Sequence, residues 1–399
     1  MLFTRRKFGV ALAALGAGRA RASDEATINE VLRTGIAQRK IPTAVAMVAS
    51  ENNVIYSGAF GTRDSSGAHV SVNSIFSIAS MTKAITTVAA LQLVEQGRVK
   101  LDEPVSRVLP QLAKLEVLDG FDKNGEPKMR PAATPLTLRH LLTHTSGICY
   151  NIWDADMFKY QSKKKVGAVP PLMFEPGTRW QYGMGIDWAG KMVEAISGMN
   201  LEDYFQMRIL KPLEMNDTSF LVPPDKVERV VSNYSKQKDG SLKQDPREAP
   251  KPPKEYNGGG GLYSTCPDYV KFMQMILQKG GKKKILSPAT VESMEVNQIG
   301  LATAGKMKSF NQSFSSDVDI QPGATEKWGL GFLINTTAYD GGRSAGSLAW
   351  AGIFNTFYWI DPKQSLCAVL MMQFLPFVDK EAVGMLGDFE KAVYAGRKG

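Results

Sequence analysis

The sequence predicts an α/β protein whose strands come from both ends of the chain, around a mostly helical insertion. Strand-like runs occur at residues 43–61 and return only after residue 328. A long apolar helical pattern follows the first pair, and residues 106–249 alternate helical patterns with polar, proline-rich loops. The division that follows is an N-terminal leader at 1–22, an α/β domain from 23–105 and 250–399, and a helical subdomain at 106–249. With 399 residues, 43% hydrophobic and 22% charged, the chain is long enough to bury a large core and a site within it.

Taken in order, residues 1–22 hold Arg5, Arg6, Lys7, Arg19 and Arg21 and no acid, with an apolar run from Phe8 to Ala17. That run is too short to span a bilayer. Thr4-Arg5-Arg6-Lys7-Phe8, followed by Ala20-Arg21-Ala22, reads as a twin-arginine-like export signal, so an exported, periplasmic protein is expected, or a cytoplasmic one if the signal does not function. Asp24 to Arg39 places Ile28, Val31, Leu32 and Ile36 at helical spacing, and "TAVAMVASENNVIYSGAFG" reads as two strands around Asn52-Asn53. "SIASMTKAITTVAALQLVEQG" fits a largely buried helix closed by Gly97. Helices are expected at Leu138 to Thr143 and Trp188 to Ile196 within the insertion. The basic, proline-rich "KDGSLKQDPREAPKPPKEY" then leads through Gly258 to Gly261 into a helix at Pro267 to Gln278. Strands are expected in "WGLGFLINT", "AGIFNTFYWID" and "SLCAVLMMQF", and a last helix at Lys380 to Ala395.

The formal charge of +9 narrows to +4 once the five leader cations are removed from the 48, leaving 43 against 39 acids. That is too mild for nucleic acid, and the runs at Lys163 to Lys165 and Lys282 to Lys284 lack interleaved aromatics. Cys149, Cys266 and Cys367 are odd in number and widely spaced, which suggests neither a disulfide framework nor a zinc site. His140 and His144 stand four apart without the glutamate or third ligand of a metalloprotease, so no metal is expected. No cofactor motif is present either. Gly258 to Gly261 lacks the Gly-Lys-Ser/Thr ending of a phosphate loop, and close packing near a site explains it better.

Gly342-Arg343-Ser344-Ala345-Gly346 matches the Gly-x-Ser-x-Gly elbow of many serine hydrolases. The elbow requires a histidine after the serine, and His69, His140 and His144 all precede Ser344. The motif is therefore read as a turn feeding a strand. Ser80-Met81-Thr82-Lys83 offers a different nucleophile. A serine in the first turn of a helix and a lysine three residues on share a face, the helix N-terminus favours developing negative charge, and apolar surroundings favour the uncharged amine that can help remove the serine proton. The pattern alone also fits a capping serine with a snorkelling lysine, and it recurs at Ser162 to Lys165 and Ser235 to Lys238 in hydrophilic, loop-like stretches.

Five ordered segments decide between them: "SIASMTKAIT", "PLTLRHLLTHTSGI", "FEPGTRWQYGMGIDWAGKMVEAISG", "GGGGLYST" and "WAGIFNTFYWIDP". Over nearly the whole chain after the leader, they resemble the serine β-lactamase and penicillin-binding-protein superfamily, most of all its class C-like branch of family VIII carboxylesterases. The resemblance implies a β-lactamase-like fold, an antiparallel sheet flanked by helices. It also implies roles: Ser80 as acylated nucleophile, Lys83 as its partner, Tyr182 as shared general base, and the amides of Ser80 and Ile353 as oxyanion hole. A tyrosine ionises near pH 10 in water, so the base role calls for a cationic neighbour, and Lys83 is the candidate.

Two departures bear on substrate. Trp350-Ala351-Gly352 stands where β-lactam-processing members have a Lys-Thr-Gly-type segment, so an apolar face replaces a carboxylate-binding cation. Met184 stands where the family's Tyr-x-Asn motif has its amide. Trp350, Gly352, Met184, Tyr150 and Trp153 are the expected substrate-binding residues, with Tyr150, Trp153 and Trp328 fitting core packing equally well. The expected function is a serine carboxylesterase acting on small to medium-chain esters through an acyl-enzyme. The alternatives are a β-lactamase or D-amino-acid peptidase, an acyltransferase using the same machinery, or a non-catalytic penicillin-sensing or ligand-binding module. The expected partner is a small-molecule ester, with no nucleic acid, no stable membrane span and no oligomeric state assigned.

Overall fold

The computed structural model describes residues 25–246 and 251–395; residues 1–22, where an export signal is expected, lie outside them. Its centre is a seven-stranded antiparallel sheet built from β1 (Thr43–Ser50), β2 (Val54–Gly61), β3 (Glu326–Trp328), β4 (Leu333–Asn335), β5 (Leu348–Gly352), β6 (Thr356–Asp361) and β7 (Leu366–Met371). The strand order is β2-β1-β7-β6-β5-β4-β3, so the first two strands close the sheet against the last one, with Val45 opposite Met371 and Ser50 opposite Leu366. The two ends of the chain thus make one sheet, as the strand pattern predicts.

Among the described residues nine α-helices surround it: α1 (25–39), α2 (Thr82–Glu95), α3 (Leu138–Leu142), α4 (Ala155–Lys163), α5 (Gly185–Ser197), α6 (Leu201–Phe205), α7 (Cys266–Leu277), α8 (Pro288–Met294) and α9 (Lys380–Ala395). Successive strand residues face opposite ways, and both faces of this sheet are covered. Trp359 meets Phe389 of α9 at 5.6 Å between ring centroids, while its neighbour Tyr358 meets Tyr269 of α7 at 5.0 Å. Double coverage is why β6 and β7 are buried at every position and read as continuous apolar runs rather than alternating ones.

Helix α2 is buried from Thr82 to Leu93, so it runs through the core rather than along a surface. It ends where Gly97, at φ +68°, turns the chain and Arg98 N–H reaches the Leu93 carbonyl. Two expected strands are hairpins instead. "AGIFNTFYWID" breaks at Ile353–Asn355, because Asn355 adopts φ +61° and its side-chain amide binds the carbonyls of Phe374 and Pro376. "WGLGFLINT" turns at Gly331, φ +81°, between β3 and β4. Both turns are hidden in apolar sequence. Residues 106–249 hold α3 to α6 and also a hairpin, Glu116–Phe121 with Pro127–Pro131, that helical periodicity does not reveal.

Candidate active site

Ser80 lies in a single 3-10 turn, Ala79–Met81, that runs directly into α2; Ala79 holds φ +43°, a conformation rare for a residue with a Cβ. β5 passes beside this turn. A Cβ on Gly352 would collide with the Ile78 carbonyl and the Thr356 hydroxyl, so glycine is what lets the strand come this close. The approach brings Ile353 to the same cavity as Ser80, and neither residue's N–H has an intramolecular acceptor among the described residues. Two free amides facing one space can hold an oxyanion.

One helical turn after Ser80, the Lys83 side chain is fully buried beneath the cavity. Its Nζ donates to Ser80 Oγ at 3.2 Å, to Tyr150 Oη at 3.2 Å and to the Gly259 carbonyl, three acceptors for the three hydrogens of an ammonium. The glycine run earns its place here: a side chain on Gly259 would overlap the Asp187 carboxylate, and one on Gly258 would press on Thr86. Asp187, in the first turn of α5, accepts from Tyr150 Oη at 3.4 Å and is also bonded by Asn257. Burial raises the Asp187 carboxyl above the ordinary carboxylate range, and the Lys83 cation opposes that rise. Burial also lifts the Tyr150 phenol well above its usual range, with the Asp187 charge adding to it, so Tyr150 stays a protonated donor.

Tyr182 is buried on the other side of Lys83, whose Nζ sits 5.0 Å from its ring centroid. Trp350 Nε1 donates to Tyr182 Oη at 3.1 Å. An indole N–H can only donate, so the phenol oxygen accepts here. His144 stacks 4.6 Å from the Tyr182 ring and accepts the Gly183 N–H through Nδ1; burial, with Lys83 nearby, holds its imidazole well below 6.5 and therefore neutral. His140 serves elsewhere, taking the Thr137 N–H at the start of α3.

These groups open onto a cavity of about 250 Å³. Of the expected residues, Ser80, Tyr150, Trp153, Tyr182, Trp350 and Ile353 line it, with Lys83 as its floor. Gly352 and Met184 do not. Gly352 is taken up by strand packing, and Met184, which precedes α5 with its amide on the Ile148 carbonyl, packs against the core. Trp328 is core, edge-on behind Trp350 at 4.7 Å with its indole on the Leu142 carbonyl. Asn257, Ile152, Phe354 and Phe377 also line the cavity and Asp187 lies behind Tyr150, residues that spacing did not single out; only the position of Asn257 just before the glycine run hinted at it.

Ser344 sits beyond the opposite end of β5. Its N–H binds Asp361, and its neighbour Arg343 forms a buried bidentate pair with Glu390 of α9 at 2.9 and 2.6 Å. The elbow-like motif is an anchor between the sheet and the last helix.

A family model described as Beta-lactamase matches residues 28–386. The chain belongs to the beta-lactamase family. Among its relatives, a monacolin J acid methylbutanoyltransferase of Aspergillus terreus is 34% identical over 406 residues, covering 94% of this chain and 97% of its own length. A lovastatin esterase of Penicillium rubens is 33% identical over 334 residues, covering 79% and 83%. The unliganded structure of simvastatin synthase from Aspergillus terreus superposes with a TM-score of 0.81 at 30% identity, covering 93% of this chain and 98% of that one. This beta-lactamase family member is therefore a serine hydrolase-type enzyme whose similar proteins include both acyltransferases and an esterase.

Proposed function

We propose that the protein is a serine acyltransferase: it takes a small acyl group onto Ser80 from an activated ester or thioester and passes it to an alcohol. Simple ester hydrolysis, the reading the motifs suggested first, is the competing fate of the same acyl-enzyme. One observation carries the proposal. Ser80, bonded to Lys83 at 3.2 Å, opens onto a cavity whose walls above the Lys83 floor hold no charged side chain among the described residues, being formed instead by Trp153, Trp350, Ile353, Phe354 and Phe377. Such walls hold a neutral acyl chain and give attacking water few partners, which favours a bound alcohol over water as acceptor. They offer no cation for the carboxylate of a β-lactam or a peptide terminus. Acyltransferases among the full-length relatives point the same way, and the lovastatin esterase keeps hydrolysis as the second reading.

In the proposed reaction the Tyr182 oxygen acts as phenolate, and Ser80 Oγ attacks the acyl carbonyl as its proton passes to that oxygen. The amides of Ser80 and Ile353 hold the oxyanion, and Tyr182 returns the proton to the departing oxygen or sulfur as its bond to the acyl carbon breaks. The acceptor alcohol then attacks the acyl-enzyme, giving its proton to Tyr182 and thence to Ser80 Oγ as the ester leaves. Lys83 holds its hydrogen bond to Ser80 throughout, and Tyr150 and Asp187 hold Lys83.

The test is a butyryl thioester incubated with wild type, Ser80→Ala and Ser344→Ala, in the presence and absence of an added alcohol, with products resolved by mass. Butyrate ester in wild type and Ser344→Ala but not in Ser80→Ala is the expected result. Free butyrate alone at every alcohol concentration would return the assignment to esterase; activity surviving in Ser80→Ala would end both readings.

A further inference from the structure

Only two aromatic side chains are exposed among the described residues, Phe158 and Phe314, each 45% accessible. Both stand beside the candidate active site. Phe158, on α4, packs against Phe310 at 6.1 Å between centroids. Phe310 and Phe314 belong to an irregular segment, residues 309–316, that is stitched to the cavity wall on two sides. On one side Phe310 N–H binds the Ile152 carbonyl at 2.8 Å and Ser315 Oγ accepts from Trp153 Nε1 at 2.9 Å. On the other, Phe377 N–H binds the Phe314 carbonyl and Ser316 N–H binds the Phe377 carbonyl, both at 2.9 Å. Ile152, Trp153 and Phe377 all line the cavity, so the segment borders its wall, with Phe158, Phe310 and Phe314 outside the lining itself.

We infer that Phe158, Phe310 and Phe314 form an aromatic ledge that binds the alcohol part of the substrate, and that this alcohol is bulky, uncharged and ring-bearing. The inference rests on the acyl-transfer reading of Ser80. The cavity, at about 250 Å³, falls below the roughly 300–1,000 Å³ of sites that enclose a whole drug-sized ligand, so it holds the acyl group and the reacting carbonyl but little more. Whatever is joined to the ester oxygen must extend past the wall. An acceptor attacks the acyl-enzyme from the place the leaving group vacated, because the second half-reaction retraces the first, so one surface serves both the alcohol that leaves and the alcohol that arrives. Exposed aromatics are costly in water and mark contact surfaces when they cluster, and phenyl faces select flat or ring-shaped apolar groups over short chains. Continuity with the cavity makes the alcohol the occupant.

The test compares two butyrate esters that share an acyl group, 2-(2-naphthyl)ethyl butyrate and ethyl butyrate, on the full chain. The readout is the ratio of their kcat/KM values in wild type, Phe158→Ser, Phe314→Ser, the double variant and Leu301→Ser, the last removing an exposed apolar side chain that is not part of the ledge. Wild type is expected to favour the naphthyl ester. Each single ledge substitution lowers that preference about 3- to 10-fold and the pair about 10- to 50-fold, while Leu301→Ser leaves it within about twofold. An unchanged ratio in the double variant, or equal losses on both esters, would overturn the ledge. Turnover of neither ester by wild type, or turnover that persists in Ser80→Ala, would instead bring down the reading of Ser80 on which the ledge rests.

Discussion

Replacing Trp350 by Phe keeps an aromatic face against the cavity and removes one atom group, the indole N–H that donates to Tyr182 Oη at 3.1 Å. If Tyr182 takes the proton from Ser80, its oxygen must carry negative charge before the transfer, and a hydrogen bond to a charged partner contributes about 1.5–3 kcal/mol. At about 1.4 kcal/mol per factor of ten, kcat/KM for p-nitrophenyl butyrate is expected to fall about 10- to 150-fold. Trp350 is also packed, 4.8 Å from the Tyr182 ring and 4.7 Å from Trp328, so thermal melts should show a loss of about 1–3 kcal/mol that must be separated from the catalytic effect. The double-mutant cycle makes that separation: in a Tyr182→Phe background, Trp350→Phe should cost almost nothing further in rate. Losses that multiply instead, or a single variant within threefold of wild type, would refute the assignment and leave Trp350 as an apolar wall.

Three further outcomes follow from the packing. Gly352→Ala puts a methyl group onto the Ile78 carbonyl and the Thr356 hydroxyl, so β5 must move off the Ser80 turn and take the Ile353 amide with it; a drop of about 10²–10³ in kcat is expected with the fold retained by circular dichroism. Arg343→Ala strands the buried Glu390 carboxylate and should destabilise by about 3–5 kcal/mol in urea titrations, whereas Arg343→Met combined with Glu390→Leu should recover most of that, and Ser344→Ala should change stability by no more than about 0.5 kcal/mol. His144 is held neutral in the folded protein and takes a proton near 6.5 once unfolded. Below that pH the unfolded state binds the extra proton, so stability falls as pH drops, by at most about 1.4 kcal/mol per pH unit from this group, and His144→Gln should flatten the slope of Tm against pH between 7 and 5.

What was legible in the sequence follows the distance over which each feature is encoded. Ser80 and Lys83 could be paired because helix geometry alone puts residues three apart on one face. The sheet's assembly from both chain ends was legible because strand patterns are absent between them. Lys83 to Tyr150 spans 67 residues and Lys83 to Gly259 spans 176, and no local pattern marks either contact. Tyr150 was read as pocket or core; its hydrogen bonds to Lys83 and Asp187 depend on how α2 and α5 pack. Met184 was placed by motif position, which fixes where a residue falls along the chain but not whether its side chain turns toward the cavity. The hairpin at Ile353–Asn355 was missed because the residues around it are aromatic or β-branched, and Asn355 is the one residue that carries the turn.

Trp350 joins the two halves of the functional argument. In the β-lactam-processing pattern this place carries a cation, which would bind a substrate carboxylate. Here the floor already holds one buried ammonium, Lys83, with a single carboxylate, Asp187, bonded to it through Tyr150. A second cation at position 350 would stand against Tyr182 with no acid in the cavity lining to balance it, and would lose the ring that packs on Tyr182. An indole meets both demands without charge: its N–H supports the phenol oxygen and its face receives an apolar acyl chain. On the proposed reading, the residue that denies the cavity a carboxylate-binding cation also supplies the hydrogen bond to the Tyr182 oxygen, so substrate class and proton transfer should change together when Trp350 is replaced.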